Sequence, residues 1–341
     1  MKAAWYTRNG RADDVLEVGD MADPLPGPNA VRVRIQRAGI NPHDVKRRSG
    51  TGGRSMGAPV IVPGDDGAGV IDMVGAGVDD RVGQRVWVHS ACHSSPFGTS
   101  AELTVVPSTN AIELPLATSF DTGACIGVPA LTAHRCLFAD GPVRGSTVLV
   151  TGGAGAVGHH AIEMAVHGGA TVIATASTPE KQRAALDAGA HHVVDYRRDD
   201  AATHILELTE GRGVDRIVEV ALGANMALTT AVIALDGVIS TYASEAVPEP
   251  LIPVYALMRR GVTIRIILVF VMPLAALASA ITDVTTLLES RALSHQIAAI
   301  YPLESIAAAH IEVEQRERIG KVLLDTASGS MPDLETREAS R

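Results

Sequence analysis

The run VLVTGGAGAVGHHAIEMA, Val148 to Ala165, takes an apolar, mostly β-branched segment straight into a glycine-rich turn and then into a helical pattern. Gly153, Gly155 and Gly158 fit G-x-G-x-x-G, with Ala154, Ala156 and Val157 in the intervening places. Side chains this small leave backbone amides open to a diphosphate, and a helix starting here adds the positive end of its dipole. The chemistry indicated is dinucleotide binding. The same glycines would also serve a tight strand-to-helix turn that binds nothing, so the surrounding pattern has to decide.

About twenty positions after such a turn, an NAD-selective site carries an acidic residue that accepts hydrogen bonds from the ribose. The segment VIATASTPEK instead places Ala176 there, followed by Ser177 and, one helical turn on, Lys181. A missing carboxylate with an added hydroxyl and ammonium suits the 2′-phosphate of NADP(H) through charge-assisted hydrogen bonds. Lysine is scarce in this chain, at Lys2, Lys46, Lys181 and Lys321 only, which adds weight to its presence at that point. A second grouping, His89, Cys92 and His93, has metal-binding residue types but no fourth ligand at matching spacing. His134 and His159 fall in helical stretches and are expected to pack rather than react.

The elements that must hold these residues change character near residue 123. Before it, short alternating runs such as Ala30 to Gln36 and Arg85 to His89 are separated by Pro and Gly, as in a β-rich domain. After it, strand-like runs at Thr147–Val150, Thr171–Ala176, His191–Val194, Arg216–Val220, Val238–Thr241 and Thr263–Val269 alternate with helical stretches. That alternation predicts an α/β fold with a doubly wound parallel sheet of Rossmann type, whose first β-to-α turn is the glycine motif. The apolar stretch Val262 to Ile281 has the length of a membrane span, but Arg265 and Pro273 interrupt it. It reads as a strand to about Val271 and a helix from Pro273, not as a span.

A length of 341 residues suggests two domains, and 46% hydrophobic with 20% charged residues describes a globular chain. The net charge of −9 argues against nucleic-acid partners and leaves small molecules. Three cysteines, Cys92, Cys125 and Cys136, form no disulfide framework, and Met1 to Gly10 lacks a signal-peptide core, so a cytoplasmic protein is expected. The segment from Thr326 to Arg341 is expected to fray.

Beyond these patterns, MKAAWYTRNG, AGINPHDVKRRSG, VPGDDGAGVI, GACIGVPALTAHRCL and YPLESIAAAH with RIGKVLLD occur in an order that resembles the medium-chain dehydrogenase/reductase superfamily. Within it they resemble the zinc-independent, zeta-crystallin-like quinone oxidoreductase branch, over nearly the whole chain to about Asp325. The resemblance implies a GroES-like catalytic domain of residues 1–123 and 294–341 and a Rossmann NADP(H)-binding domain of residues 124–293. It implies NADPH as cofactor and hydride transfer to quinones or related conjugated carbonyl acceptors. By the same resemblance Tyr196 lies beside the 2′-phosphate, while Asn225, Tyr242 and Ser244 contact the cofactor from strand ends. Asn41 and Lys46, in a loop shared with His43 and Asp44, would face the nicotinamide and orient the acceptor. Lys46 and Ala130 stand where zeta-crystallins carry tyrosines, which changes the shape and charge offered to the acceptor.

Zinc-dependent alcohol dehydrogenases of the superfamily hold a metal with residues replaced in this chain by Asn41, Asp65 and Asp66, so no metal is expected. The superfamily also contains enoyl reductases, and some zeta-crystallins bind RNA. Those are the two alternatives to quinone reduction. The family assembles through the edge of the nucleotide-binding sheet, so Gly261 to Val271 is expected to form a homodimer, or a dimer of dimers, with Ile267 at or near the contact.

Overall fold

A computed structural model describes residues 1–198, 200–315 and 319–327, so the tail expected to fray lies almost wholly outside the described residues. They divide into two compact units, Met1–Val128 with the chain from Ile297, and Pro129–Gln296. The first unit runs through β1 (Lys2–Trp5), β2 (Glu17–Asp20), β3 (Ala30–Ile40), α1 (Pro42–Ser49), β4 (Asp66–Val74), β5 (Arg85–Val88), β6 (Leu103–Pro107) and β7 (Ala111–Glu113). After α2 (Gly127–Phe138), the second alternates β8 (Thr147–Val150), α3 (Ala156–His167), β9 (Thr171–Thr175), α4 (Pro179–Asp187), β10 (His192–Val194) and α5 (Ala201–Leu208). It continues with β11 (Val214–Glu219), α6 (Leu222–Val232), β12 (Ile233–Thr241), α7 (Val254–Met258), β13 (Thr263–Ile266) and α8 (Leu274–Glu289). Then β14 (Ile297–Pro302), α9 (Ile306–Gln315) and β15 (Lys321–Asp325) complete the first unit.

In the first unit β1 and β2 pair apart, and a larger sheet has the order β14-β15-β3-β4-β5-β7, with β6 also on β3. Alternation builds it: Val31, Val33 and Ile35 of β3 are buried, while Arg32 and Arg34 between them pair with Asp72 on β4. Pairing of the late β15 with β3 aligns Val322 with Ile40, and β3 with β4 aligns Gly39 with Asp66. The starts of β15 and β4 therefore meet the end of β3.

In the second unit every sheet pairing is parallel and the order is β10-β9-β8-β11-β12-β13. The order reverses beside β8, which places the crevice of a doubly wound sheet at that strand's carboxyl end. All of Thr147–Val150 is buried, as a strand covered on both faces requires.

The last strand is shorter than the sequence suggests. It ends at Ile266, a single 3-10 turn occupies Val269–Val271, and Pro273 precedes α8. Thr263 and Arg265 alternate with Ile264 and Ile266, Arg265 is held by Asp140 at 2.7 Å, and the strand stops before the apolar run Ile267 to Val271. Ile267, expected at the edge, is buried at 7% exposure, whereas Ile266 is 82% exposed. Among the described residues no helix is long and apolar enough to cross a membrane.

Candidate functional site

The glycine turn is fastened to both neighbouring strands. Gly153 N–H donates to the Thr175 carbonyl at 3.0 Å, and Thr151 Oγ1 accepts from Val220 N–H at 2.9 Å. Gly152, outside the sequence motif, takes the left-handed conformation at φ +66 that the turn needs. A Cβ on Gly158 would stand 2.3 Å from the Gly152 carbonyl oxygen, so glycine lets α3 begin this close to the turn. At Gly155 an added Cβ would meet nothing nearer than Gly152 O at 3.4 Å, so that face of the turn is open. Gly155, at the start of α3, brings no side chain to cap it, and the first-turn amides of Ala156, Val157 and Gly158 belong to an end that a diphosphate fits. Ala154 completes the turn.

Ala176, buried at the end of β9, puts no carboxylate at that position. Ser177 follows it, and Thr178 caps α4 by accepting from the Lys181 amide at 3.3 Å, so Ser177 and Lys181 stand at one helix start, both half-buried. Val194 of β10 aligns with Thr175 of β9, which brings Tyr196 to the same sheet end, with 46% of its surface exposed.

Across the crevice, Asn225 Nδ2 donates to Glu219 Oε1 at 2.8 Å, Gly223 N–H donates to Ser244 Oγ at 2.9 Å, and Tyr242 N–H donates to the Glu219 carbonyl at 3.2 Å. Asn225, Tyr242 and Ser244 thus gather at the carboxyl ends of β11 and β12. Glu219, which the sequence reading passed over, organises them. It is fully buried, and burial raises its carboxyl above the usual range although hydrogen bonds from Ala221 N–H and Asn225 oppose this.

The first unit holds a different cluster. Lys321 Nζ donates to Asp66 Oδ2 at 3.0 Å and to Asn41 Oδ1, Asn41 Nδ2 donates to Asp66 Oδ2 at 2.7 Å, and Val128 N–H donates to Asp66 Oδ1 at 2.8 Å. Asn41, Asp66 and Lys321 are 3%, 0% and 5% exposed. Gly39 makes room: a Cβ there would lie 2.1 Å from Ala124 O and 2.9 Å from Lys321 Cε. Lys321 was not singled out as a site residue, and only its rarity as a lysine could have marked it. Asp44 Oδ2 accepts from the Asn41 amide at 2.8 Å, and burial lifts its carboxyl to about 7. Lys46 lies half-buried in α1, and Ala130 is buried in α2.

The donor set does not fit zinc. Asp66 is engaged by an ammonium group and two N–H donors, and Asp65 Oδ1 accepts from His93 N–H at 2.8 Å. Cys92 Sγ receives Arg47 at 3.0 Å, and His89 Nδ1 lies 3.1 Å from Ser90 Oγ. Among the described residues no three His, Cys, Asp or Glu side chains are arranged to hold a metal ion. His134 Nε2 meets Asp283 at 2.8 Å and His159 Nε2 meets Ser294 at 3.1 Å, so both sit in packing contacts.

Residues 27–116 match the alcohol dehydrogenase GroES-like domain, and residues 156–283 match the zinc-binding dehydrogenase domain. A quinone oxidoreductase of Lama guanicoe is 31% identical over 95% of this chain and 97% of its own length. A 2-haloacrylate reductase of Burkholderia sp is 30% identical, over 88% of this chain and 91% of its own. Among solved structures, a mycobacterial protein complexed with NADPH matches with a TM-score of 0.84 at 29% identity, over 95% of this chain and 99% of its own. With two family domains in sequence order and full-length likeness to curated quinone oxidoreductases, this chain belongs to the quinone oxidoreductase branch of the medium-chain dehydrogenase/reductase superfamily.

Proposed function

We propose that this chain is an NADPH-dependent reductase of quinones and related conjugated carbonyl acceptors that works without zinc. The observation that carries the reading is the crevice at β8: an uncapped helix start behind an open glycine turn, with buried Ala176 in place of a carboxylate. Ser177, Lys181 and Tyr196 then receive the 2′-phosphate, and Asn225, Tyr242 and Ser244 orient the rest of the cofactor. Bound NADPH supplies the hydride. Asn41 has its carbonyl oxygen on Lys321 and one amide hydrogen on Asp66, so it offers an acceptor its second amide hydrogen from a rigid mount. Lys46 stabilises negative charge as the acceptor is reduced. The Lys321–Asp66 pair supports zinc independence, because a cation already balances the carboxylate. An NADPH-oxidation screen over ortho- and para-quinones, enones and simple aldehydes tests the reading: turnover of quinones or enones supports it, and tight NADPH binding with no turnover sinks it.

The assembly we propose is a homodimer through β13, in the cytoplasm. Support comes from its place at the sheet edge and from the exposure of Ile266, Leu268, Val271 and Leu274 at 82%, 52%, 69% and 84%. Three buried cysteines without disulfides suit a reducing compartment.

A further inference from the structure

Reduction of a carbon–carbon double bond differs from reduction of a quinone in one demand. A quinone's oxygens can take protons from water, whereas an enolate formed inside a dry site needs a donor placed against it. One pairing in the first unit meets that demand. Asp65, the residue before β4, is fully buried; its Oδ1 accepts from His93 N–H at 2.8 Å, and its Oδ2 has no hydrogen-bond partner among the described residues. On α1, His43 places its Nε2 3.9 Å from Asp65 Oδ2. The His43 side chain is 25% exposed while that of Asp65 is 0% exposed, so the imidazole connects the buried carboxyl to the outside. His43 is two residues from Asn41, in the segment already read as the acceptor loop.

We propose that Asp65 and His43 form a proton relay that protonates α,β-unsaturated carbonyl acceptors after hydride transfer. This rests on the reductase reading above. When hydride reaches the β-carbon, the electron pair of the double bond moves toward the carbonyl and leaves an enolate. The enolate takes the Nδ1 proton of His43 and the lone pair on Nε2 takes the proton of the Asp65 carboxyl; water then protonates Nδ1 and the Nε2 proton returns to the Asp65 carboxylate, restoring both groups. Each turnover consumes one hydride from NADPH and one proton from solvent. The 3.9 Å gap closes by a small side-chain rotation or one bridging water.

The surroundings bias both groups toward the states the relay needs. Burial, with Arg54, Arg47 and His93 nearby and Asp66 opposing, holds His43 down to about 4, so its ring is neutral at pH 7. Burial, with Asp44 and Asp66 nearby and Arg47 and the His93 amide opposing, raises Asp65 well above the carboxylate range.

The test compares His43→Phe and Asp65→Asn with the wild-type enzyme on 2-cyclohexenone and on 1,4-benzoquinone. The enone-to-quinone ratio of kcat is expected to fall about 100-fold in both variants, the size of a lost general acid, with partial recovery on adding small buffer acids. An unchanged ratio, or equal loss on both acceptors, overturns the relay. Imidazole nitrogen NMR of the cofactor-free protein gives a second readout independent of turnover. His43 is expected to be neutral and Nδ1-protonated at pH 7, with its tautomer balance altered by Asp65→Asn; a charged ring, or one indifferent to that substitution, overturns the relay. A wild-type enzyme inactive on every acceptor would instead refute the reductase reading, leaving the NMR result to decide the relay.

Discussion

Lys321 Nζ and Asp66 Oδ2 lie 3.0 Å apart in the interior of the first unit, and Asn41 bonds to both. Removing one partner of a buried pair strands the other charge, which costs more than the pair itself contributes. Lys321→Met is expected to lower stability by about 3–5 kcal/mol, and Lys321→Met with Asp66→Asn by clearly less. Urea denaturation of the two variants measures the difference.

Lys181→Glu is expected to reverse cofactor preference. A carboxylate beside the 2′-phosphate repels it, so NADPH affinity should drop by about 1.5–3 kcal/mol while NADH is little affected. Titration of both cofactors by fluorescence reads this, and a variant that still prefers NADPH would mean the phosphate lies elsewhere.

The buried histidines should cost stability in acid, against an opposite contribution from the buried carboxyls of Asp44, Asp65 and Glu219. Burial holds His43 and His89 down to about 4 and His295 and His310 to about 3, against about 6.5 in the unfolded chain. The unfolded state therefore binds more protons below pH 6.5; the stability is fully present above that value and is lost as pH falls toward 4. His310 is wholly buried, and neither ring nitrogen has a hydrogen-bond partner among the described residues. At pH 5 His310→Leu should remove about 1–2 kcal/mol of this acid penalty, flattening the dependence of Tm on pH.

Gly158→Ala places a methyl group 2.3 Å from the Gly152 carbonyl oxygen, where only backbone can yield. Distortion of the turn is expected to weaken NADPH binding at least about tenfold, with folding retained at a cost of about 1–3 kcal/mol. Calorimetric binding and thermal melting separate the two effects.

Ile266→Lys puts a charge on the exposed side of the edge strand and is expected to convert a dimer to a folded monomer in light scattering. Ile267→Lys would bury that charge and unfold the protein instead, since Ile267 is 7% exposed. A wild-type protein that is monomeric at high concentration removes the dimer.

The amino-acid sequence by itself determined what depends on local period and local chemistry. A run of strands alternating with helices, with a glycine turn after the first, specifies a doubly wound parallel sheet, which the second unit is, while the strand order β10-β9-β8-β11-β12-β13 comes from the structure. Ala176, Ser177 and Lys181 are legible for the same reason, since they lie at a set distance from the turn along one chain segment. Only the tertiary structure decided what depends on distant segments meeting. Lys321 reaches Asn41 and Asp66 because β15 pairs with β3 and β3 with β4, a register that no spacing in the chain expresses. His43 meets Asp65 because a helix after one strand folds against the residue before another. Which of Ile266 and Ile267 is buried likewise waited on the tertiary structure, because the strand ends at Ile266 and the run Ile266 to Val269 is apolar throughout, so no alternation there marks the inward side chain.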